Sequence, residues 1–435
     1  MVNTWLFFYD ILMLKLLLSI FFFAIYLFYV FPHNAHAAYS NYNSVMVGDR
    51  AAGMGGAFTA MTGDPAGIIY YNPANLSLMK GNSLSAAVSV YHKYDSSFGD
   101  QDSFEDSTKR INQGSFKSIP ASSGSILSFG HFAFGLSILV PDYNFYQGEV
   151  NNQNDNISTF QKLDQSLWVG VGFGKNWTED TSWGFSVYYT ALDAQINTRD
   201  QSSLNSGTDT KQIVDERSIT NNSLLYIAGI THKLNDSWKI AASYRFNPIE
   251  ISGKGSYYSS SIDTTGSNDG ATQLFEKSVD TDQAIPTRLA LGVSYESASK
   301  SVFSFDLVSY GAGNFQDFQD KDYSRNYKYV NIVNVHLGYE YFVNPQVKIR
   351  TGLYSNLSSH QEVDEDTSYW QPEHIDMWGF SANAAVFTSD KASFTFGGYY
   401  TGGTGYAKHL IENSYQKVEA KRNIFSMLIS SAYYF

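Results

Sequence analysis

The sequence predicts an all-β fold, a transmembrane antiparallel β-barrel of about 14 strands with a small N-terminal hatch (plug) inside the lumen. Aromatic residues make up 16% of the chain, as much as all charged residues together, whereas charged residues alone reach about 25% in ordinary soluble domains. From Asn82 onward the chain repeats segments of about 10 alternating residues, joined in turn by short and long connections. Ahead of them lies one glycine-rich stretch that does not alternate.

The remaining composition narrows the function classes. The 435 residues carry 29 Lys+Arg against 41 Asp+Glu, a net charge of -12 without basic blocks; this argues against nucleic acid as a partner, since phosphate binding needs clustered Lys and Arg. Absence of cysteine excludes disulfide frameworks, thiolate catalysis and zinc-thiolate or iron-sulfur centres. The chain is polar on average, which speaks against many helical spans of roughly 20 apolar residues.

Residues 1–37 read as a signal peptide. Lys15 precedes an apolar run from Leu16 to Phe31, and Ala35-His36-Ala37 supplies a small-residue cleavage pattern. Met13-Leu14-Lys15 would make a more conventional start than Met1. Once the leader is removed, membrane residence must use strands, and residues 82–435 are assigned to an outer-membrane barrel.

In that barrel, alternation separates two faces. Leu167, Val169, Val171 and Phe173 share one, with Gly170 and Gly172 on the other. Trp183, Phe185, Val187 and Tyr189 oppose Gly184, Ser186 and Tyr188; Leu289, Leu291, Val293 and Tyr295 oppose Arg288, Ala290, Gly292 and Ser294. Short connections such as Asn344-Pro345-Gln346 alternate with long ones, including residues 198–217, 252–282, 311–328, 358–373 and 402–416. This is the asymmetry of periplasmic turns and extracellular loops. Tyr257-Tyr258 and Tyr399-Tyr400 are expected in interfacial girdles. The last strand ends on Tyr433 and Phe435, similar to the terminal signal that barrel-assembly machinery reads.

Residues 38–81 form the expected hatch. Gly53-Met54-Gly55-Gly56 has no preceding strand and no βαβ unit, so a dinucleotide loop is rejected. A compact lumenal plug accounts better for small residues and a self-satisfied backbone. The motif residues Gly53, Gly55, Gly56, Asp64, Asn72, Pro73 and Ala74, in the order AAGMGGAF, DPA and NPANL, resemble the hatch of the FadL/TodX family of outer-membrane transporters. The resemblance implies passive uptake of hydrophobic compounds, among them long-chain fatty acids, by capture in the lumen and sideways release into the membrane at a kinked third strand. It implies no cofactor, no metal and no catalytic residue. The implied partners are hydrophobic small molecules, outer-membrane lipid and lipopolysaccharide, and the assembly machinery.

Two sets of site residues follow. The third segment, Phe132 to Tyr146, is interrupted by Pro141, which removes a ladder donor; Pro141 and Asp142 mark either the lateral opening or the end of the strand at the outer rim. Arg245, Arg288, Lys348 and Arg350 fall on the inward face by alternation. They are either headgroup partners for a carboxylate or pairs for hatch acids such as Asp49 and Asp64. Loops 198–217 and 252–282 are mainly Ser, Thr, Asn, Asp and Gly, a departure from the apolar capture groove that the family builds there.

The nine histidines are scattered, and His92 and His336, within strands, are both read as facing outward. The acidic run Glu362, Asp364, Glu365 and Asp366 reads as a solvated loop tip. The competing function is an interaction barrel, an adhesin or receptor whose long loops do the work and whose hatch is vestigial.

Overall fold

The computed structural model describes residues 40–98, 111–152, 156–204, 209–265, 270–282, 285–298, 300–367, 369–411 and 414–435. The segment read as a signal peptide, the side chain of His92 and that of His409 lie outside the described residues. Among those described, eighteen strands are present. They are β1 (Ser83–Phe98), β2 (Ile111–Ser128), β3 (Phe132–Asn152), β4 (Asn156–Asn176), β5 (Thr181–Leu204), β6 (Asp209–Lys233), β7 (Trp238–Arg245), β8 (Ile249–Asp263) and β9 (Gly270–Asp280). The second half holds β10 (Arg288–Ser297), β11 (Ser301–Tyr310), β12 (Gly313–Gln316), β13 (Asn326–Tyr329), β14 (Ile332–Asn344), β15 (Val347–Asn356), β16 (His374–Ser389), β17 (Ala392–Ile411) and β18 (Ser414–Tyr434).

Fourteen of them close into a ring. The ladder runs β1 to β7, then β10, β11 and β14 to β18, with β18 paired back onto β1. Closure leaves no open edge in lipid, where unpaired backbone groups are not tolerated. The two faces fall as alternation predicts. Phe134, Leu136, Ile138, Leu167, Val171, Phe185 and Leu353 are exposed on the outside, while Ser137, Ser186, Tyr188, Ala290 and Tyr354 are buried within.

Several of the polar connections expected as loops are strands. β5 and β6 stay paired from Thr181↔His232 out to Leu204↔Asp209, so residues 198–204 and 209–217 form an antiparallel ribbon. Most of residues 252–282 belong to the β8–β9 hairpin, which rides on the outer half of β6. Their Ser, Thr and charged residues form no continuous apolar face, which hides the ribbons from pattern reading, although Asp200, Ser202, Tyr257 and Val279 are buried. Tyr257 and Tyr399 are not girdle residues. Tyr257 stacks on Tyr323 at 4.0 Å, and the Tyr399 hydroxyl accepts from the Met46 amide at 3.4 Å, both buried. A lipid-facing aromatic set gathers instead near the short turns, for example Phe129, Phe132, Trp177 and Trp238.

The hatch fills the lumen through repeated helix starts. Helix α1 (Asp49–Gly53) is followed by α2 (Pro65–Tyr71) and a 3-10 helix (Pro73–Leu78). Asp64-Pro65-Ala66 and Asn72-Pro73-Ala74 start their helices in the same way. The first side chain caps, accepting from the amides of Gly67 and Ala74 at 3.1 Å each, and proline takes the first helical position. Asp64 also accepts from the Arg50 amide at 3.0 Å and so joins the starts of α1 and α2.

Candidate functional site

Glycine on the inner wall admits the hatch. A Cβ at Gly352 would run into the Gly55 backbone, one at Gly124 into Ala66, and one at Gly184 into Pro73. Gly55 itself has φ +64, a left-handed conformation that glycine alone adopts without strain. The motif residues therefore sit at wall contacts. Asn72 donates to the Thr59 carbonyl and to Thr231 Oγ1, each at 2.9 Å, and Ser381 donates to the Gly53 carbonyl at 3.0 Å.

Wall residues absent from the sequence reading hold the hatch too. Asp306 Oδ2 accepts from the amides of Phe58 and Thr59, both at 2.8 Å. Glu340 receives Arg50 through two bonds, 3.1 and 2.6 Å, and Arg350 Nε at 2.6 Å. His336 points inward, with Nδ1 2.7 Å from the Gly55 carbonyl. The outward reading fails because Val335 and Leu337 take the lipid face on either side of it.

The four predicted cations separate. Arg350 is bound to Glu340 and lies 3.9 Å from Asp49, a hatch anchor as the second reading required. Lys348 lies near a short turn, 4.6 Å from the ring centres of Phe342 and Phe387. Arg245 and Arg288 come together: they are register partners at the outer end of the β7–β10 ladder. Both are buried, at 4% and 3% exposure, and neither has a carboxylate within ion-pair distance among the described residues. Local breaks place them there. β7 stops before Pro248, and Arg245 Nε donates to the Pro286 carbonyl at 3.1 Å on the approach to β10. Asp64, the other hatch acid considered, is committed to backbone amides.

Aromatic rings surround this pair. Arg245 lies 5.7 Å from the Trp168 ring and 5.8 Å from Tyr310; Arg288 lies 5.8 and 5.5 Å from Tyr70 and Tyr71 of the hatch. Cation–π attraction offsets part of the cost of burying two like charges. Tyr42 stacks on Tyr310 at 4.3 Å. Trp168 Nε1 donates to Ser166 Oγ, which donates to Asp142, both at 3.1 Å. The arginine pocket is thus linked side chain by side chain to the predicted kink.

At the kink the wall loses a ladder. β2 and β3 pair only from Ser128↔Ala133 to Ser122↔Leu139, the seven positions nearest their short turn. Beyond Leu139 the register of β3 with β4 shifts and resumes at Asp142↔Ser166, running on to Asn152↔Asn156. β3 therefore does not end at Pro141. The outer part of β2 follows β1 while that of β3 follows β4, which leaves no described pairing between them there. Val45, in the hatch ahead of α1, packs with Tyr143, Val140 and Leu163 beside this break.

A closed 14-strand barrel with a lumenal hatch defines a plugged barrel of the outer membrane. Residues 34–368 match the model of the outer membrane protein transport protein family (OMPP1/FadL/TodX), and the chain belongs to that family, whose members are transport proteins and not enzymes. Its fold is similar to a Pseudomonas aeruginosa FadL homologue, with a TM-score of 0.69, 12% identity and coverage of 91% of this chain and 100% of that one. The Pseudomonas putida toluene transporter TodX aligns with a TM-score of 0.65, 13% identity and coverage of 90% and 99%. A monoaromatic hydrocarbon channel, CymD, gives 0.59, 15%, 91% and 99%. No curated protein is significantly similar to the chain in sequence.

Proposed function

We propose that the protein is a passive outer-membrane channel for hydrophobic compounds and that a carboxylate-bearing cargo, such as a long-chain fatty acid, is held at Arg245 and Arg288. The observation that carries this reading is the buried arginine pair, which has aromatic neighbours and, among the described residues, no carboxylate within ion-pair distance. Two guanidiniums without a direct ion pair can take the carboxylate of an amphiphile while its chain covers the rings. The interrupted β2–β3 ladder at Pro141 and Asp142 supports sideways release into the bilayer. Export by a cleavable leader ending near Ala37, and insertion directed by the terminal Phe435, complete the proposal.

Mass spectrometry of lipophilic molecules copurifying with the native barrel tests the cargo class. Free carboxylic acids are expected; recovery of only uncharged hydrocarbons would remove the arginine assignment. Liposome uptake tests transport itself. A disulfide between Ala60→Cys and Ser294→Cys, placed where Ser294 Oγ donates to the Ala60 carbonyl at 3.1 Å, should stop uptake until it is reduced. No uptake by the unlocked protein would favour the interaction-barrel reading.

A further inference from the structure

A further groove lies among the long connections. On the side of the long connections, the β12–β13 ribbon and the loop joining β15 to β16 enclose a groove of about 560 Å³, within the range of ligand pockets, roughly 300–1,000 Å³. Phe315 stacks on Tyr327 at 4.5 Å, and Tyr327 meets Trp370 edge-on at 5.0 Å, giving the groove an aromatic side. Tyr369 is 63% exposed at its rim.

The rest of the lining is hydrogen-bonding. Asn314, Gln316, Asn326, Gln361 and Gln371 all face the groove. Two contacts orient part of this set: Gln316 Nε2 donates to Asn326 Oδ1 at 3.0 Å, and Gln371 Oε1 accepts from the Asp364 amide at 2.8 Å. Held in this way, the Gln316 oxygen and the Gln371 and Asn326 nitrogens are the groups left to meet a ligand.

Ligand classes can be sorted by what this lining rewards. An apolar cargo would strip water from five amides and return no hydrogen bonds. An anionic amphiphile meets Asp282 and Glu362 against the single cation Lys328, so its headgroup is repelled. A neutral polyhydroxyl ring suits both halves: hydroxyls donate and accept, as amides do, and the C–H faces of the ring cover aromatic carbon. We infer that this groove is a carbohydrate-binding site on the extracellular face, separate from the transport path and specific for uncharged sugar units. The sugar arrives either as a free oligosaccharide or as the headgroup of a glycolipid in the same membrane.

The test uses the full-length barrel purified in a sugar-free detergent, titrated calorimetrically with two probes. One is a neutral maltooligosaccharide; the other is a neutral repeat-unit oligosaccharide, free of phosphate and acidic sugars, released from the glycan of a membrane glycolipid. Saturable binding of either supports the site, and the better probe tells which source it serves. Tyr369→Ala and Gln371→Ala should weaken binding tenfold or more while strand content by circular dichroism and uptake of a hydrophobic tracer stay at wild-type levels. Binding of neither probe, or unchanged affinity in both variants, overturns the proposal. So does saturable binding of a peptide or fatty acid that these variants abolish.

Discussion

Arg245 and Arg288 sit directly opposite one another across β7 and β10, buried in the lumen with aromatic rings around both. Tyr310 is in turn the register partner of Arg288 on β11, so three neighbouring strands contribute one side chain each to the same patch. Two buried guanidiniums so placed repel each other and forgo hydration, a cost a stable wall has no need to carry. Elsewhere buried arginines are neutralised, as Glu340 does for Arg50 of the hatch and Arg350 of the wall.

The lateral break gives the first prediction. With no native cysteine, Ser122→Cys and Asp142→Cys can be joined by a short bismaleimide reagent across the end of the β2–β3 ladder. Linked protein in liposomes should lose tracer uptake, and the unlinked double variant should retain most of it. Equal uptake before and after linking would place the exit elsewhere.

Hatch seating depends on Asp306. Asp306→Ala leaves the buried Phe58 and Thr59 amides without their acceptor, a loss of roughly 2–6 kcal/mol at 1–3 kcal/mol per unsatisfied group. The hatch should become sensitive to protease while the barrel resists heat and detergent as before. Unchanged protection would mean that water replaces the carboxylate.

Close approach gives a complementary variant. Gly352→Val drives a side chain into the Gly55 backbone, and a packed contact of that kind cannot absorb the added volume. Single-channel conductance should rise as the hatch is displaced, with strand content unchanged. Wild-type conductance would show that the hatch adjusts without leaving its seat.

The loop between β15 and β16 should respond to pH. His360 is buried there, its Nδ1 donates to the Glu373 carbonyl at 2.8 Å, and burial pushes its pKa down to about 3. With the packed-state value below that of the open loop, about 6.5, packing is fully favoured above pH 6.5 and weakens progressively as pH falls toward 3. Hydrogen exchange of this loop should quicken over that window in the wild type and vary much less in His360→Gln. An identical pH response in the variant would assign it to other groups.

Alternation makes the barrel legible and even sets the inward side for Arg245, Arg288 and Arg350, because strand side chains have a period of two. It says nothing about register. The pairing of Arg245 with Arg288, and the choice of Glu340 as the partner of Arg350, arise between strands rather than along them. The hatch is legible through its glycines and the order of its motifs, whereas the capping by Asp64 and Asn72 emerges only from the folded geometry. His336 escapes pattern reading because one polar residue in an apolar segment belongs to whichever face its neighbours leave. The polar ribbons of β5–β6 and β8–β9 escape it because neither of their faces is apolar.

Uptake by liposomes carrying the purified barrel tests the central claim most directly, with a hydrophobic carboxylate compared against an uncharged hydrocarbon of the same length. In Arg245→Met and Arg288→Met the account predicts a fall of about tenfold or more for the carboxylate, the equivalent of losing one charge-assisted hydrogen bond of about 1.5–3 kcal/mol, with hydrocarbon uptake unchanged. Equal loss for both tracers, or no loss for either, would contradict it.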